Sequence, residues 1–591
     1  MPLSFDDICE IVDRRWSERS PLIATMDEVR QRYNAEWVIP MPELDTEPLM
    51  PQLSPLLVAN AVDTPAMRAA SVLPWYSSPA LDGGKEKGRG SRDWARTRTR
   101  AVAATLAANH WKLIRRRYYR HLAGYATTAL VVLPGHQANG YVPCLEVRNP
   151  LATFPEPKSP ESTAPPRDCA FVYELAAGRI RERWPEARKE RGGPVPKPQR
   201  AVFGDELWLV FEWHDADQIA WGLLGPRYAR QYSVDHRSWD STATMVTRMP
   251  LGDPVPNRAG YATVICPERV TLDRIASQVA SMTGVVDLID RFLRLDAVAQ
   301  ERAIFPDRYV IGTQNGSPRI IGGAWKDGRT GETNILEDVQ AVGELRSTPD
   351  LRTQQLVSIL TNNFNTSVGI PSPTLGQSTD YAMRTGRGID TLLGASIDPR
   401  VQELHEISEA FLPHLFACIS ATYEGYHPSR RYTLFSGYAN DDDVVSFVPS
   451  IHLAERRDYA VSYAIAGADV QLTTVALGQL RQLKAISMRT FRERHPWIGD
   501  AQGEEDRVAE EDMEEVVRTG LAQAVLRGDM PPVYVARIEK YVKKGDDIFV
   551  AIERADADAR REQATQAPAP EPGLVAAPET MPGLAGPPQM A

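Results

Sequence analysis

The sequence predicts an α+β fold on three observations. Short runs of alternating apolar and polar residues, bounded by turn formers, recur between residues 126 and 224 and mark strands. Apolar residues at helical spacing mark long amphipathic helices, above all at 281–305 and from Asp398 onward. Between two helices, at 281–305 and 349–368, lies a stretch rich in strand and turn signals. Two helices flanking a small tip make a stalk, a shape suited to reaching or lining rather than to enclosing a reaction.

Residues 1–90 mix short helical signals with proline-rich connectors, and 83–90 read as a glycine-rich loop. One long helix is expected over 93–121, ending in Arg115, Arg116, Arg117, Tyr118, Tyr119 and Arg120. That end reads either as a nucleic-acid contact or as a solvated cationic helix terminus, and the helix dipole favours the second. Strands are expected at 126–133, 142–147 and 171–175, then a helical turn at 179–184. A strand pair at 206–213 and 218–224 turns around Asp215, Ala216 and Asp217.

In the stalk, Val285, Val286, Leu288, Ile289, Phe292, Leu293 and Leu295 give the first helix a wide apolar face. Its length of about 24 residues spans roughly 36 Å. Pro306 ends it. Short strands follow at 308–311, 319–321 and 334–336. Asp398 then N-caps a long helix with Pro399 at its first position. Val401, Leu404, Ser408, Phe411, Leu415, Cys418 and Thr422 form its seam, Pro413 is expected to kink it, and His405-Glu406 is expected on its surface. Strands at 432–435 and 444–448 follow, then helices at 475–491, 505–526 and 533–542. Residues 564–591, rich in proline and alanine and without a basic residue, read as a disordered tail.

A chain of 591 residues forms about two to four domains. Its net charge of −10 argues against a simple nucleic-acid coat, though not against a wall past which DNA slides. Cys9, Cys144, Cys169, Cys266 and Cys418 are scattered without CxxC spacing, so neither a disulfide framework nor a zinc site is expected. No signal peptide or transmembrane run is expected. Gly323 to Thr330 has Walker A spacing, but Arg329 stands in the lysine position and strand signals follow where a helix is required. Asn440, Asp441, Asp442 and Asp443 lack the spacing of a calcium loop. The acidic run from Glu504 to Glu515 reads as a solvated face. No catalytic constellation, metal site or cofactor is expected.

Four segments in order carry a family resemblance. They are RVTLDRIASQVASMTGVVDLIDRFLRLDAVAQERAIFPDRYVIG (269–312), RIIGGAWKDGRTGETNIL (319–336), IPSPTLGQSTDYAMRTGRGIDTLL (370–393) and LRQLKAISMRTFRERHPWI (480–498). Their order and spacing resemble the portal proteins of tailed bacteriophages, of the type in long-tailed phages of actinobacteria, over roughly residues 100–555. The resemblance implies an α+β subunit with a wing, a two-helix stem, a small β-rich clip and a helical crown, assembling as a dodecameric ring. Mapped onto the chain, it implies an arm and wing at 1–270, a stem helix at 271–305, the clip at 306–347 and a second stem helix at 348–368. A tunnel loop at 369–381, further wing at 382–465, the crown at 466–560 and the tail at 561–591 complete it.

The resemblance also implies function. The ring sits at one capsid vertex of the virion, is assembled in the host bacterial cytoplasm, and passes double-stranded DNA during packaging and ejection. Its partners are the major capsid protein, the terminase large subunit and later a head–tail adaptor, with no membrane. Ser372, Thr374, Gln377, Ser378 and Thr379 of the tunnel loop are expected at the DNA, with Arg384 and Arg387 forming a belt behind them. Val285, Ile289 and Phe292 are expected at the contact between neighbouring stems, and Trp325, Lys326 and Arg329 at the docking face of the clip. The competing classes are an ATP-dependent packaging enzyme of the terminase kind and an interior capsid scaffold. The first needs a working phosphate loop, and the second leaves the stalk unexplained.

Overall fold

A computed structural model describes residues 3–37, 56–79, 89–158, 162–184, 207–226, 249–272, 274–304, 307–313, 319–321, 335–345, 351–368, 398–435, 444–453, 457–463, 470–495, 498, 501–528, 531–542 and 548–566. The chain is α+β. It divides into two compact units, 1–500 and 501–591.

The first unit opens with α1 (Phe5–Tyr33), a 29-residue helix where only short helical signals were expected. Ser4 and Asp7 form a reciprocal capping box at its start. Pro21 lies inside it and does not end it. The reason is tertiary. Ile8, Val12, Trp16, Ile23 and Met26 all bury on one sheet, and that burial outweighs one lost backbone hydrogen bond.

That sheet is antiparallel, in the order β4 (Thr153–Pro155), β5 (Cys169–Ala176), β6 (Leu207–His214), β7 (Gln218–Pro226) and β8 (Met249–Pro250), with β9 (Val255–Pro256) also on β7. Alternation in β6 decides its two faces. Leu209, Phe211 and Trp213 meet α1, while Trp208 and Val210 meet Ile180 of α5 (Ala177–Arg183). The Asp215 carboxylate accepts from the Asp217 and Gln218 amides at 2.7 and 2.6 Å, which closes the β6–β7 turn where the sequence placed it.

The main core lies beside a second antiparallel sheet, ordered β10 (Val264–Ile265), β2 (Ala129–Leu133), β3 (Cys144–Arg148). Against it pack α2 (Leu57–Ser71), α3 (Arg89–Ala108), α4 (Trp111–Tyr125) and the 28-residue α8 (Pro399–Tyr426). Two small pairs complete this core, β1 (Trp75–Ser77) with β17 (Ala460–Ser462), and β15 (Tyr432–Phe435) with β16 (Val444–Phe447). Asp398 caps α8 by accepting from the Arg400 amide, as expected, and all seven seam residues are buried. Pro413 leaves α8 one continuous helix. Short helices α9 (Pro449–His452), α10 (Val470–Gln482) and α11 (Met488–Arg494) follow, so the single helix expected at 475–491 is two.

Four further expectations are corrected here. Residues 89 and 90, read as loop, open α3. The single helix expected over 93–121 is α3 and α4, broken at His110, whose φ is +54°. Asn109 makes the break useful, donating to the Thr105 and Pro143 carbonyls at 2.8 Å and accepting the Leu145 amide at 2.9 Å. The Arg/Tyr end of α4 is not a uniformly solvated terminus. Tyr118 and Tyr119 are core, Arg115 is buried and donates to the Val72 carbonyl, and Arg120 pairs with Asp63 at 2.9 Å, while Arg116 and Arg117 stay exposed. His405, expected at the surface, is fully buried.

Helices α6 (Thr283–Ile304) and α7 (Leu351–Ser367) match the two stalk helices. Between them lie β11 (Asp307–Gly312), β12 (Arg319–Ile321), β13 (Ile335–Glu337) and β14 (Val339–Leu345). The fourth strand was not anticipated. It pairs with β11, and β12 pairs with β13.

The second unit contains α12 (Ala501–Arg527), α13 (Pro532–Val542) and α14 (Ile548–Gln566). Ile538, Ile548, Ala551 and Ala555 form its core, with Val517 and Leu521 against it. Tyr534 and Tyr541 donate to Asp556 and Asp558. On α12, Glu505, Glu511, Asp512 and Glu515 are exposed. The helices expected at 505–526 and 533–542 correspond to α12 and α13, while α14, running to Gln566, was not anticipated. Residues 567–591 of the expected tail lie outside the described residues.

Candidate functional site: the stem and its root

The stem is an antiparallel arm. At one end, the Gln278 side-chain amide, just before α6, donates to the Ser367 carbonyl at the close of α7, at 2.8 Å. At the other end, Asp307 pairs with Leu345 as β11 and β14 take over from the helices. The 22 residues of α6 span about 33 Å. The arm therefore leaves the body, turns through a small β module and returns beside itself.

Its root is fixed by charge and by packing. Arg32, in the last turn of α1, makes a bidentate contact with Asp287 of α6, Nε to Oδ1 at 2.8 Å and Nη2 to Oδ2 at 2.6 Å. Its guanidinium also lies 4.1 Å from the centre of the Trp37 ring. A fork-on-fork contact sets orientation as well as distance, so it aims α6 as it leaves the body. Ser277 donates to the Ala123 carbonyl of α4 at 3.0 Å and accepts the Val279 amide at 3.1 Å. Beneath these bonds, Val29, Leu57, Val58, Val62, Val286, Ile289, Phe364 and Val368 form one core shared by α1, α2, α6 and α7. One turn further out, Asp290 and Arg294 pair at 2.7 Å and are both buried.

The arm also carries apolar groups that its own chain leaves exposed. Leu288 on α6 is 41% exposed, Leu356 and Ile359 on α7 are 39% and 55%, and Ile311 at the tip is 47%. These groups and the paired charges suit mechanical contact.

The expected stem-contact residues separate. Ile289 is 1% exposed and belongs to the core of its own chain, so it is not available to a neighbouring subunit. Val285 packs partly against that core, and Phe292 is half-buried outside it. The width of the apolar face of α6 is real, but α1, α2 and α7 cover much of it. Trp325, Lys326 and Arg329 lie outside the described residues, as do Ser372, Thr374, Gln377, Ser378, Thr379, Arg384 and Arg387. So do the Gly323–Thr330 segment and Asn440 to Asp443.

Sequence reasoning missed Arg32, Asp287, Gln278 and Ser367. Arg32 and Asp287 are 255 positions apart, and no local pattern links them. One signal was present. Arg32 shares a helical face with the buried Val29, and an arginine on an apolar stripe calls for a carboxylate partner.

Among the described residues no group of three or more His, Cys, Asp or Glu side chains is placed to hold a metal ion. Among them, too, no helix is long and apolar enough to cross a membrane. Neither a protein-family model nor a curated protein sequence matches the chain.

Proposed function

We propose that this chain is the subunit of a ring-shaped channel of the tailed-phage portal type, through which double-stranded DNA is packaged and later ejected. The observation that carries the reading is the antiparallel stem, joined at its root by Gln278 and Ser367 and at its tip by β11 and β14. A rigid arm with a β module at its end is costly to build for a soluble enzyme, yet it is what a channel wall repeats around an axis. In this reading α6 and α7 line the bore and the module at 306–347 docks the terminase motor, then the head–tail adaptor. The polar loop at 369–381 narrows the bore and touches DNA weakly through hydrogen bonds. The major capsid protein surrounds the ring at one vertex. A heterologous contact repeated by rotation closes such a ring only at the right angle.

Negative-stain electron microscopy of the purified full chain tests this directly. Class averages with rings around a central hole are expected. A monomer that hydrolyses ATP would overturn the proposal in favour of a packaging motor.

A further inference from the structure

Among the described residues one strand of the body has a free edge, and that edge borders a cleft. Among the described residues the sheet order β10-β2-β3 leaves β3 paired on one side only. Its register with β2 pairs Leu145 with Val132 and Val147 with Leu130. The Leu145 amide donates to Asn109 and the Val132 amide to Thr263, so in these residues the backbone groups point away from the β2–β3 ladder. The Val147 N–H and C=O and the Leu145 C=O therefore face outward, and among the described residues they have no hydrogen-bond partner. They border a cleft of about 470 Å³ between α4 and β5. Open edges are templates for a further strand.

The walls of the cleft set the chemistry of that strand. Leu145 and Val147 share a face with the main core, so a strand added beside β3 would send alternate side chains toward α4, to Leu113, Ile114 and Arg117. The others would point toward Phe171 and Tyr173 of β5. Arg117 is exposed and makes no ion pair among the described residues. Arg148, on the β5 side, is already held by Glu146 and Glu212 at 3.1 and 3.2 Å. One wall therefore offers an unanswered positive charge, and the other the half-buried ring of Tyr173, since Phe171 is buried beneath Arg148.

We propose that the β3 edge is a docking site for an extended peptide of another protein, in which apolar residues alternate with acidic ones. Three backbone hydrogen bonds give affinity, the Tyr173 ring takes the apolar side chain, and Arg117 selects the acid. The proposal does not depend on the channel reading.

Fluorescence anisotropy on the full chain tests it. The probe is a labelled hexapeptide of alternating valine and glutamate. The controls are the same peptide N-methylated at every second amide, and a valine–lysine counterpart. The glutamate peptide is expected to bind at least about tenfold more tightly than either control. Arg117→Glu, at an exposed position, is expected to reverse the preference between glutamate and lysine peptides. Equal binding of the N-methylated peptide, no effect of Arg117→Glu, or no binding by ~1 mM peptide overturns the proposal.

Discussion

The imidazole of His405 lies flat on the phenol ring of Tyr463, centroids 3.9 Å apart and planes within 4°. His405 belongs to α8, and its Nε2 donates to the Ala69 carbonyl of α2 at 3.2 Å. The Tyr463 hydroxyl meets that of Tyr119 on α4 at 2.6 Å, and its amide donates to Glu409 at 2.5 Å. One stacked pair therefore joins three helices to the segment after β17. Burial pushes His405 down from 6.5 to about 4, so it is neutral in the folded chain at neutral pH.

Stability is expected to fall in mild acid. In the unfolded chain His405 binds its proton near 6.5, and in the folded chain only near 4. The unfolded state thus holds more protons between these values, and stability drops as pH falls through the window. The full shift corresponds to about 3 kcal/mol. His121 is pushed down to about 4 as well and adds to the slope. Urea titrations across this range should show a shallower pH dependence for His405→Phe than for the natural chain. An unchanged slope would mean His405 is not the group that couples.

Breaking the Arg32–Asp287 contact is expected to loosen the stem at its root. Asp287 is partly solvated, so the coupling energy in a double-mutant cycle of Arg32→Met and Asp287→Asn should be about 1–2 kcal/mol. Hydrogen exchange should quicken in the first turns of α6 more than in α8. Uniform quickening across the unit would show that the contact supports the whole body instead.

Substitutions along the stem should separate folding from assembly. Ile289→Ala opens a cavity in the root core and is expected to cost about 2–5 kcal/mol. Ile359→Asp lies where solvent already reaches, so its melting temperature should stay close to that of the natural chain, while Phe292→Asp, at a half-buried ring, should lower it modestly. If the stem lines a ring, these two should reduce assembly by light scattering. Normal assembly of both would count against stem-to-stem contact.

Gly425, near the end of α8, has no room for a methyl group. A Cβ there would stand 2.1 Å from the Arg258 carbonyl oxygen, a backbone atom that cannot swing aside. Gly425→Ala is expected to destabilise the first unit by about 1–3 kcal/mol in thermal or urea unfolding. A neutral result would show that the 258–259 loop yields easily.

Local signals in this sequence determined the elements whose causes are local. The alternation in β6 and β7, the turn at Asp215, the Asp398 cap, the seam of α8 and the two stalk helices all rest on residues a few positions apart. Each formed where its pattern stood. Tertiary structure decided everything that depends on which surfaces meet. Pro21 stays inside a helix because the β4–β8 sheet buries the residues on both sides of it. His405 is core because Tyr463 and Ala69 arrive from distant parts of the chain. Ile289 looks like an outward-facing contact until α1, α2 and α7 close over it. Periodicity shows that a face is apolar, but the partner of that face lies far away along the chain, and only packing selects it.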